Sequence, residues 1–94
     1  MPSIAELLAI AKGHHRSGQV AMATQVYQEV LAQEPTQSEA LYLLGLLAHQ
    51  SGDLDIAIQY YRRSLASQPA AETHNNLGAA LQQKGQLEAA IGHY

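Results

Sequence analysis

The sequence contains an internal repeat, and this repeat restricts the possible folds more than any other property of the chain. A shift of 34 positions brings the first part into register with the middle part, and a further shift of 33 brings the middle part into register with the last. The units run from residue 4 to 37, from 38 to 70 and, truncated, from 71 to 94. The matched positions include Leu7 with Leu41, Ala23 with Ala57, Tyr27 with Tyr61, Pro35 with Pro69, Gly45 with Gly78, Gly52 with Gly85 and Ile58 with Ile91. Such a period predicts stacked units that share one continuous core.

Each unit has the apolar spacing of two helices, separated by a glycine that can adopt the left-handed backbone found at helix ends. Ser3 with Glu6 and Thr36 with Glu39 fit a capping box at a helix start. The predicted helices cover residues 4–17, 21–33, 38–51, 54–67, 71–84 and 87–94. We therefore expect an all-α fold, a single domain built as an α-solenoid of antiparallel helix hairpins.

Composition excludes several classes of function. Of the 94 residues, 47% are hydrophobic and 14% are charged, which is typical of a chain that buries a core. The net charge of -3 supplies no basic surface, so we expect no nucleic-acid or membrane partner. The sequence has no apolar run long enough to span a bilayer, and no cysteine for a disulfide or a thiolate ligand. We expect a soluble, cytoplasmic protein that needs no cofactor.

The pattern resembles the tetratricopeptide repeat, in which a Leu-Gly pair, a small residue, an aromatic residue and a proline recur at fixed places. The first and third units depart from this pattern at Ala11 and His74. The resemblance covers essentially the whole chain, and it implies a right-handed superhelix whose concave face binds a protein or a peptide. The second unit carries the match at Leu41, Leu44, Gly45, Gly52, Ala57, Tyr61, Leu65 and Pro69.

In this family the first helix of every hairpin lines the concave face, so the resemblance implies a groove along the three first helices. The groove is weakly basic in the first unit, apolar with one phenol in the second, and rich in amides in the third. Such a surface suits an extended or helical peptide. The candidate partner-binding residues are Lys12, His15, Arg16, Tyr42, Leu46, His49, Asn75, Asn76, Ala79 and Gln82.

Asn76 falls where the O-linked N-acetylglucosamine transferase arms that this segment resembles use an asparagine ladder to hold peptide backbones. The equivalent positions are Ala9 and Leu43, so the ladder has a single rung here. Two interpretations of Asn76 stay open: a contact to a bound peptide, or a hydrogen bond that ties neighbouring helices together. Tyr42 and Leu46 have the corresponding alternatives of ligand contact and packing against the adjacent first helix.

A second ligand mode of the family does not fit this sequence. It is a clamp of cations around the C-terminal carboxylate of heat-shock chaperones, and Glu72 and Asn76 stand where that clamp has cations. Lys12 and Arg16 lie one helical turn apart. They either receive an acidic side chain of a partner or belong to a solvated helix face.

The sequence indicates neither a metal site nor a catalytic site. His14 and His15 are adjacent and therefore point in different directions on a helix. His15 and His49 share a repeat position, but no carboxylate is assigned beside them. There is no nucleophile elbow, no glycine-rich phosphate loop and no converging pair of carboxylates. We expect a protein without enzyme activity. Arg62 and Arg63, on a second helix, either face solvent on the convex side or form a basic interaction patch.

The last unit stops inside its second helix, and no polar cap covers it. We expect the chain to be the N-terminal fragment of a longer array, with an apolar edge that stays partly uncovered. Such an edge predicts a homo-oligomer, formed by end-to-end packing or by exchange of the last helix. The edge consists of Leu77, Leu81, Leu87, Ala90 and Ile91.

Three hypotheses of function follow. The leading one is a non-enzymatic module that binds a peptide or partner segment in its concave groove. The alternative is the N-terminal substrate-recruiting arm of a larger bacterial glycosyltransferase, because interaction arrays and transferase arms share the same hairpin architecture. The third is a homo-oligomerising scaffold in which the uncovered edge is itself the function.

Overall fold

Five α-helices build the fold of residues 1–92, the part of the chain that this computed structural model describes. In chain order, α1 spans Ile4–Arg16, α2 Val20–Gln33, α3 Ser38–Gln50, α4 Leu54–Ser67 and α5 Ala71–Gly92. The described residues 1–92 contain no strand. α1 packs against α2, α3 packs against α2 and α4, and α4 packs against α5. The prediction of an all-α, right-handed solenoid of antiparallel hairpins is confirmed.

Both complete hairpins, α1–α2 and α3–α4, turn at a glycine with left-handed backbone. Gly18 has a φ of 76° and Gly52 a φ of 82°, a region that strains residues with a side chain. In the first turn the N–H of Gln19 donates to the carbonyl of His14 at 2.9 Å, which closes the end of α1. The predicted helix ends at these two glycines are confirmed.

The two predicted capping boxes have different outcomes. At the start of α1, the N–H of Glu6 donates to Oγ of Ser3 at 3.1 Å, and the N–H of Ser3 donates to Oε1 of Glu6 at 3.4 Å. The predicted cap at Thr36 is wrong. The cap of α3 is Gln37, whose longer side chain reaches forward so that Oε1 accepts from the N–H of Ala40 at 2.7 Å.

The core lies where the helices of neighbouring units meet, and small residues allow close approach there. Tyr27 and Tyr61 are 0% exposed and fill the space between units, while Ala23 and Ala57 are also fully buried. Gly45 on α3 contacts the ring of Tyr61 on α4. A Cβ at Gly45 would lie 2.6 Å from two of the ring carbons, so the helices could not pack this closely around any larger residue.

The buried hydroxyl of Tyr27 makes no hydrogen bond within residues 1–92. Burial, with a smaller contribution from Glu39, raises the pKa of Tyr27. We expect Tyr27→Phe to leave the free energy of unfolding unchanged or to raise it by up to about 1 kcal/mol, because it removes an unpaired buried polar group. Urea unfolding measures this change. The control is Tyr61→Phe, which deletes a hydroxyl that is bonded to His49 and should cost about 1 kcal/mol. Equal losses in the two variants would contradict the prediction.

The third unit does not form the predicted hairpin. One helix was predicted over 71–84 and another over 87–94, yet α5 continues without a break through both ranges up to residue 92. Gly85 aligns with the turn residue Gly52, but it lies inside α5 and its φ is not positive. Gly13, another glycine expected to end a helix, lies inside α1. Positions 93 and 94 fall outside the described residues.

The residue before Gly85 gives a physical reason for the continuous helix. In the two hairpin turns a serine precedes the glycine, whereas here Lys84 does, and lysine is the better helix former. The ammonium nitrogen Nζ of Lys84 lies 2.6 Å from Oδ1 of Asp55 on α4 and 3.8 Å from Oε1 of Glu88 on α5. The second ion pair spans Gly85, so it favours helix through that position.

Candidate binding groove

Polar side chains link α1 to α3 along one face of the array. The ammonium group of Lys12 forms a salt bridge with the carboxylate of Glu39. Three residues further along α1, Nε2 of His15 lies 3.0 Å from Oε1 of Gln50. In both pairs the first residue belongs to one unit and the second to the next. These contacts therefore join consecutive first helices.

Tyr42 links α3 to α5 in the same way. Its hydroxyl donates to Oε1 of Glu72 at 2.9 Å and accepts from Nδ2 of Asn76, also at 2.9 Å. The contact uses one of the two amide hydrogens of Asn76 and does not involve its carbonyl oxygen. Of the two interpretations of Asn76, the hydrogen bond between neighbouring helices is therefore present.

His49 forms a second link between α3 and α5. Its Nε2 lies 2.8 Å from Oε1 of Gln83, and its Nδ1 lies 3.1 Å from the hydroxyl of Tyr61. A neutral imidazole that carries its proton on Nε2 satisfies both contacts, because Nε2 then donates to Gln83 and Nδ1 accepts from Tyr61. The ring of His49 also meets the ring of Tyr61 edge-on, with 6.0 Å between the centroids.

The two phenols beneath the groove stay protonated at physiological pH. Burial, followed by the hydrogen bond to Glu72 and the charge of that carboxylate, raises the pKa of Tyr42 to about 12. Burial, with a smaller effect of Tyr42, raises the pKa of Tyr61 to about 12. Both side chains therefore act as neutral hydrogen-bonding groups.

The sequence-predicted groove residues fall into two groups. Half of them, namely Lys12, His15, Tyr42, His49 and Asn76, are held in contacts between consecutive first helices. Leu46 is half-buried, and the remaining side chains are exposed and belong to no such bridge, namely Arg16, Asn75, Ala79 and Gln82. The structure thus divides the predicted set into residues that join the helices and residues that face solvent.

Apart from Asn76, the second residue of each bridge is not among the ten candidate binding residues, namely Glu39, Gln50, Glu72 and Gln83. A signal for these residues exists, because Glu39 and Glu72 share one repeat position and Gln50 and Gln83 share another. An acid and an amide recur on the first helices, each opposite a donor in the preceding unit. This pattern predicts polar contacts between consecutive units.

Two of the shallow cavities beside the bridges lie near the Lys12–Glu39 and Tyr42–Glu72 contacts. One of about 300 Å³ is next to α1, between the Lys12–Glu39 pair and the exposed guanidinium of Arg16. The other, of about 200 Å³, lies between the start of α3 and the start of α5 and includes Tyr42 and Glu72 in its wall. The first can hold an acidic side chain against Arg16, since guanidinium binds a carboxylate through two parallel hydrogen bonds.

The side chains of His14, Arg62 and Arg63 take no part in the bridges between first helices. No group of three or more His, Asp or Glu side chains in residues 1–92 is placed to hold a metal ion. Nδ1 of His14 is bonded to Oε1 of Gln19 at 2.9 Å. On the opposite side of the array, Arg62 is exposed and the guanidinium carbon of Arg63 lies 5.4 Å from the ring centroid of Tyr60. None of the five described helices has both the length and the apolar character needed to cross a membrane.

The predicted apolar edge lies along α5. Leu77 is half-buried and packs against the cluster that contains Ala57 and Tyr61. The other members are exposed, and exposure rises along the helix from 41% at Leu81 to 57% at Leu87 and 72% at Ile91, with Ala90 exposed beside them. α5 thus presents more apolar surface toward its C-terminal end.

Comparisons with known proteins agree with this architecture. Among solved structures, the TPR2AB domain of yeast Sti1, solved as a pHSP90 complex, superposes with a TM-score of 0.88 at 23% identity, covering 95% of this chain and 37% of that chain. A mutant O-GlcNAc transferase of Thermobaculum terrenum superposes with a TM-score of 0.83 at 38% identity, covering 98% of this chain and 19% of that chain. The chain thus spans well under half the length of either structure. No curated protein matches the sequence.

The family assignment rests on sequence and fold together. The sequence model described as the tetratricopeptide repeat matches residues 8–72 and 50–94, which together cover nearly the whole chain. The helical hairpins, the glycine turns and the buried tyrosines recur at the spacing of that family. The chain belongs to the tetratricopeptide repeat family.

Proposed function

We propose that this chain is a non-catalytic module that binds an extended or helical peptide segment of a partner protein along its concave face. The observation that carries this proposal is that the groove contains two kinds of residue, those that join the first helices and those that stay exposed. The bridges between first helices hold the surface in shape, while Arg16, Asn75 and Gln82 stay exposed beside them. Tetratricopeptide folds serve as protein-interaction modules, and the Sti1 neighbour was solved as a pHSP90 complex.

The chemistry of the exposed groups defines the ligand. Amides such as Asn75 and Gln82 can donate to and accept from a peptide backbone whatever its side chains. Asn76 is oriented by its bond to Tyr42, and its carbonyl oxygen can accept a backbone N–H. Arg16 favours a carboxylate at one end of the bound segment. We therefore expect a peptide with an acidic residue that lies near α1.

Selection of peptides from a random display library against the chain provides a probe for this groove. We expect the triple variant Arg16→Ala, Asn75→Ala and Gln82→Ala to bind a selected peptide at least about tenfold more weakly, a loss of about 1.4 kcal/mol. Fluorescence anisotropy measures the affinity, and circular dichroism verifies that the fold is kept.

A matched control exists on the second helices. Gln25→Ala, Gln59→Ala and Arg62→Ala remove the same three groups, one guanidinium and two amides, from exposed positions of α2 and α4. These changes should leave peptide affinity unchanged. Enrichment of no peptide, or a larger loss in the control than in the groove variant, would contradict the proposal.

A second function is supported by the likeness to the transferase. The 38% identity to the Thermobaculum terrenum O-GlcNAc transferase extends over 98% of this chain. The alternative is that these repeats recruit protein substrates for a catalytic domain in the same polypeptide. The complete open reading frame tests this alternative, because a glycosyltransferase domain downstream supports it and a stop codon or an unrelated domain removes it.

The exposed edge of α5 supports a further element of the proposal, which is self-association of the chain. Leu81, Leu87 and Ile91 expose apolar surface on one helix, and such a surface favours contact with another protein surface. We therefore include a homo-oligomer in the proposed function. We also propose a cytoplasmic location.

A further inference from the structure

One face of α5 is bare where the equivalent face of α3 is covered. Gly45 on α3 lies against the ring of Tyr61 on α4, so close that a Cβ would come within 2.6 Å of it. Gly78 has the same repeat position on α5, and nothing lies within 4 Å of the place where its Cβ would be. Leu81, nearly one turn further along, is 41% exposed. No second helix covers this face in residues 1–92.

The repeat identifies the residues that belong on the bare face. They are the counterparts of α4 and begin at Leu87, which aligns with Leu54. Ile91 is largely exposed, whereas its counterpart Ile58 is 4% exposed in the core. Because α5 runs straight through Gly85, these residues lead away from the bare face of their own chain. In this conformation they can reach such a face only on another molecule.

We propose that α5 pairs antiparallel with α5 of a second copy of the chain, so that the C-terminal half of each helix covers the bare face of the other. The pairing gives the geometry of the self-association that is part of the proposed function. It therefore rests on the proposal that the chain self-associates. It is an exchange of identical segments, which produces a two-fold symmetric dimer in which every contact occurs twice.

The hairpin of the second unit defines the register of the pair. There α4 runs antiparallel to α3, and Gly45 contacts Tyr61. In the same register Ala48 lies opposite Ile58, and the counterparts of these two residues one repeat later are Leu81 and Ile91. We therefore expect Leu81 to lie opposite Ile91 of the second copy, which joins two exposed apolar residues, and symmetry repeats the contact.

Single-cysteine variants test the register, because the chain has no cysteine of its own. Leu81→Cys with an affinity tag is mixed with untagged Ile91→Cys, oxidised with glutathione disulfide and separated by size under non-reducing conditions. We expect a disulfide-linked dimer of one tagged and one untagged chain. Each variant alone should cross-link much less, because its two cysteines would lie about 15 Å apart along the paired helices.

The matched control mixes Ile91→Cys with Ala79→Cys. Ala79 is exposed, but it is two residues from Leu81 and therefore lies on the other side of α5. This mixture should give little cross-linked dimer. Comparable yields from the two mixtures would show random collision and would overturn the pairing.

Sedimentation equilibrium separates the pairing from the rest of the proposed function. Ile91→Asp changes an exposed residue, so the monomer should stay folded by circular dichroism while the dimer dissociates. A wild-type chain that stays monomeric at every soluble concentration overturns both the pairing and the self-association. An associated chain without the selective cross-link, or one that Ile91→Asp leaves associated, overturns the pairing alone. Peptide affinity of the groove is measured independently of all these results.

Discussion

Replacing Tyr61 with alanine is expected to lower the free energy of unfolding by about 3–5 kcal/mol, the range for removal of a large aromatic side chain from a core. The ring is fully buried, contacts Gly45, and lies 6.0 Å from the ring of Tyr42 between centroids. Its loss leaves a cavity where α3, α4 and the groove meet. Small domains have a total stability of about 5–15 kcal/mol, so the variant should be largely unfolded or close to it. Urea unfolding followed by far-UV circular dichroism measures the change.

The control for this variant is Tyr61→Phe, which keeps the ring and deletes only the hydroxyl that bonds to His49. We expect it to lose about 1 kcal/mol. If the alanine variant were no less stable than the phenylalanine variant, the ring would not be the main contact between these units, and the account of the core given above would be wrong.

Replacing Gly45 with alanine should destabilise the chain by about 1–3 kcal/mol, the range for an extra carbon in a filled core. The new Cβ would meet two carbons of the Tyr61 ring at 2.6 Å and the Cβ of Tyr60 at 3.3 Å. Neither α4 nor the buried ring can move aside without opening other contacts. Thermal and urea unfolding of the folded monomer measure the loss.

The next unit provides a control at the same repeat position. Gly78→Ala adds the same methyl group to an exposed place on α5 with no atom within 4 Å. Alanine is also the better helix former, by about 1 kcal/mol, so this variant should be more stable than the wild type. The same substitution at equivalent positions should thus lower the free energy of unfolding at Gly45 and raise it at Gly78. Both substitutions are compared in the Ile91→Asp background, in which the proposed dimer is dissociated, and a loss at both positions there would contradict the exposure of Gly78.

The sequence predicts most of the first two units because their signals are local and repeated. The helical spacing around Leu41 and Tyr61 and the glycines of the two turns define elements that the structure contains. The wrong cap at Thr36 shows a limit of this reasoning. Thr36 and Gln37 both had acceptor oxygens near the start of α3, and only the path of the chain determines which of them reaches the free N–H.

The third unit could not be predicted from the repeat alone. A glycine permits a turn but does not require one, and the outcome at Gly85 depends on what the flanking residues gain by staying helical. At Gly52 a second helix packs back on the first. At Gly85 the ion pairs of Lys84 with Asp55 and Glu88 support the straight helix instead. These pairs depend on the position of α4, which the local sequence around Gly85 does not contain.

For the candidate groove, too, the local sequence predicts which residues lie on each helix but not the contacts between helices. Repeat positions are sufficient to predict which side chains belong to the first helices, including Tyr42, His49 and Asn76. They do not predict that these side chains bond to one another, because each bond depends on the distance between two helices from different units. Recurring acids and amides at fixed places are the sequence signal that a search for such bonds would use.

The bridges between first helices have a mechanical consequence. Each of them acts on the inner side of the array, so together they determine how tightly the inner side is drawn in and therefore the pitch of the superhelix. A ligand that takes the imidazole of His49 or the phenol of Tyr42 must first separate it from the neighbouring unit. We therefore expect a ligand that binds these groups to change the curvature of the array.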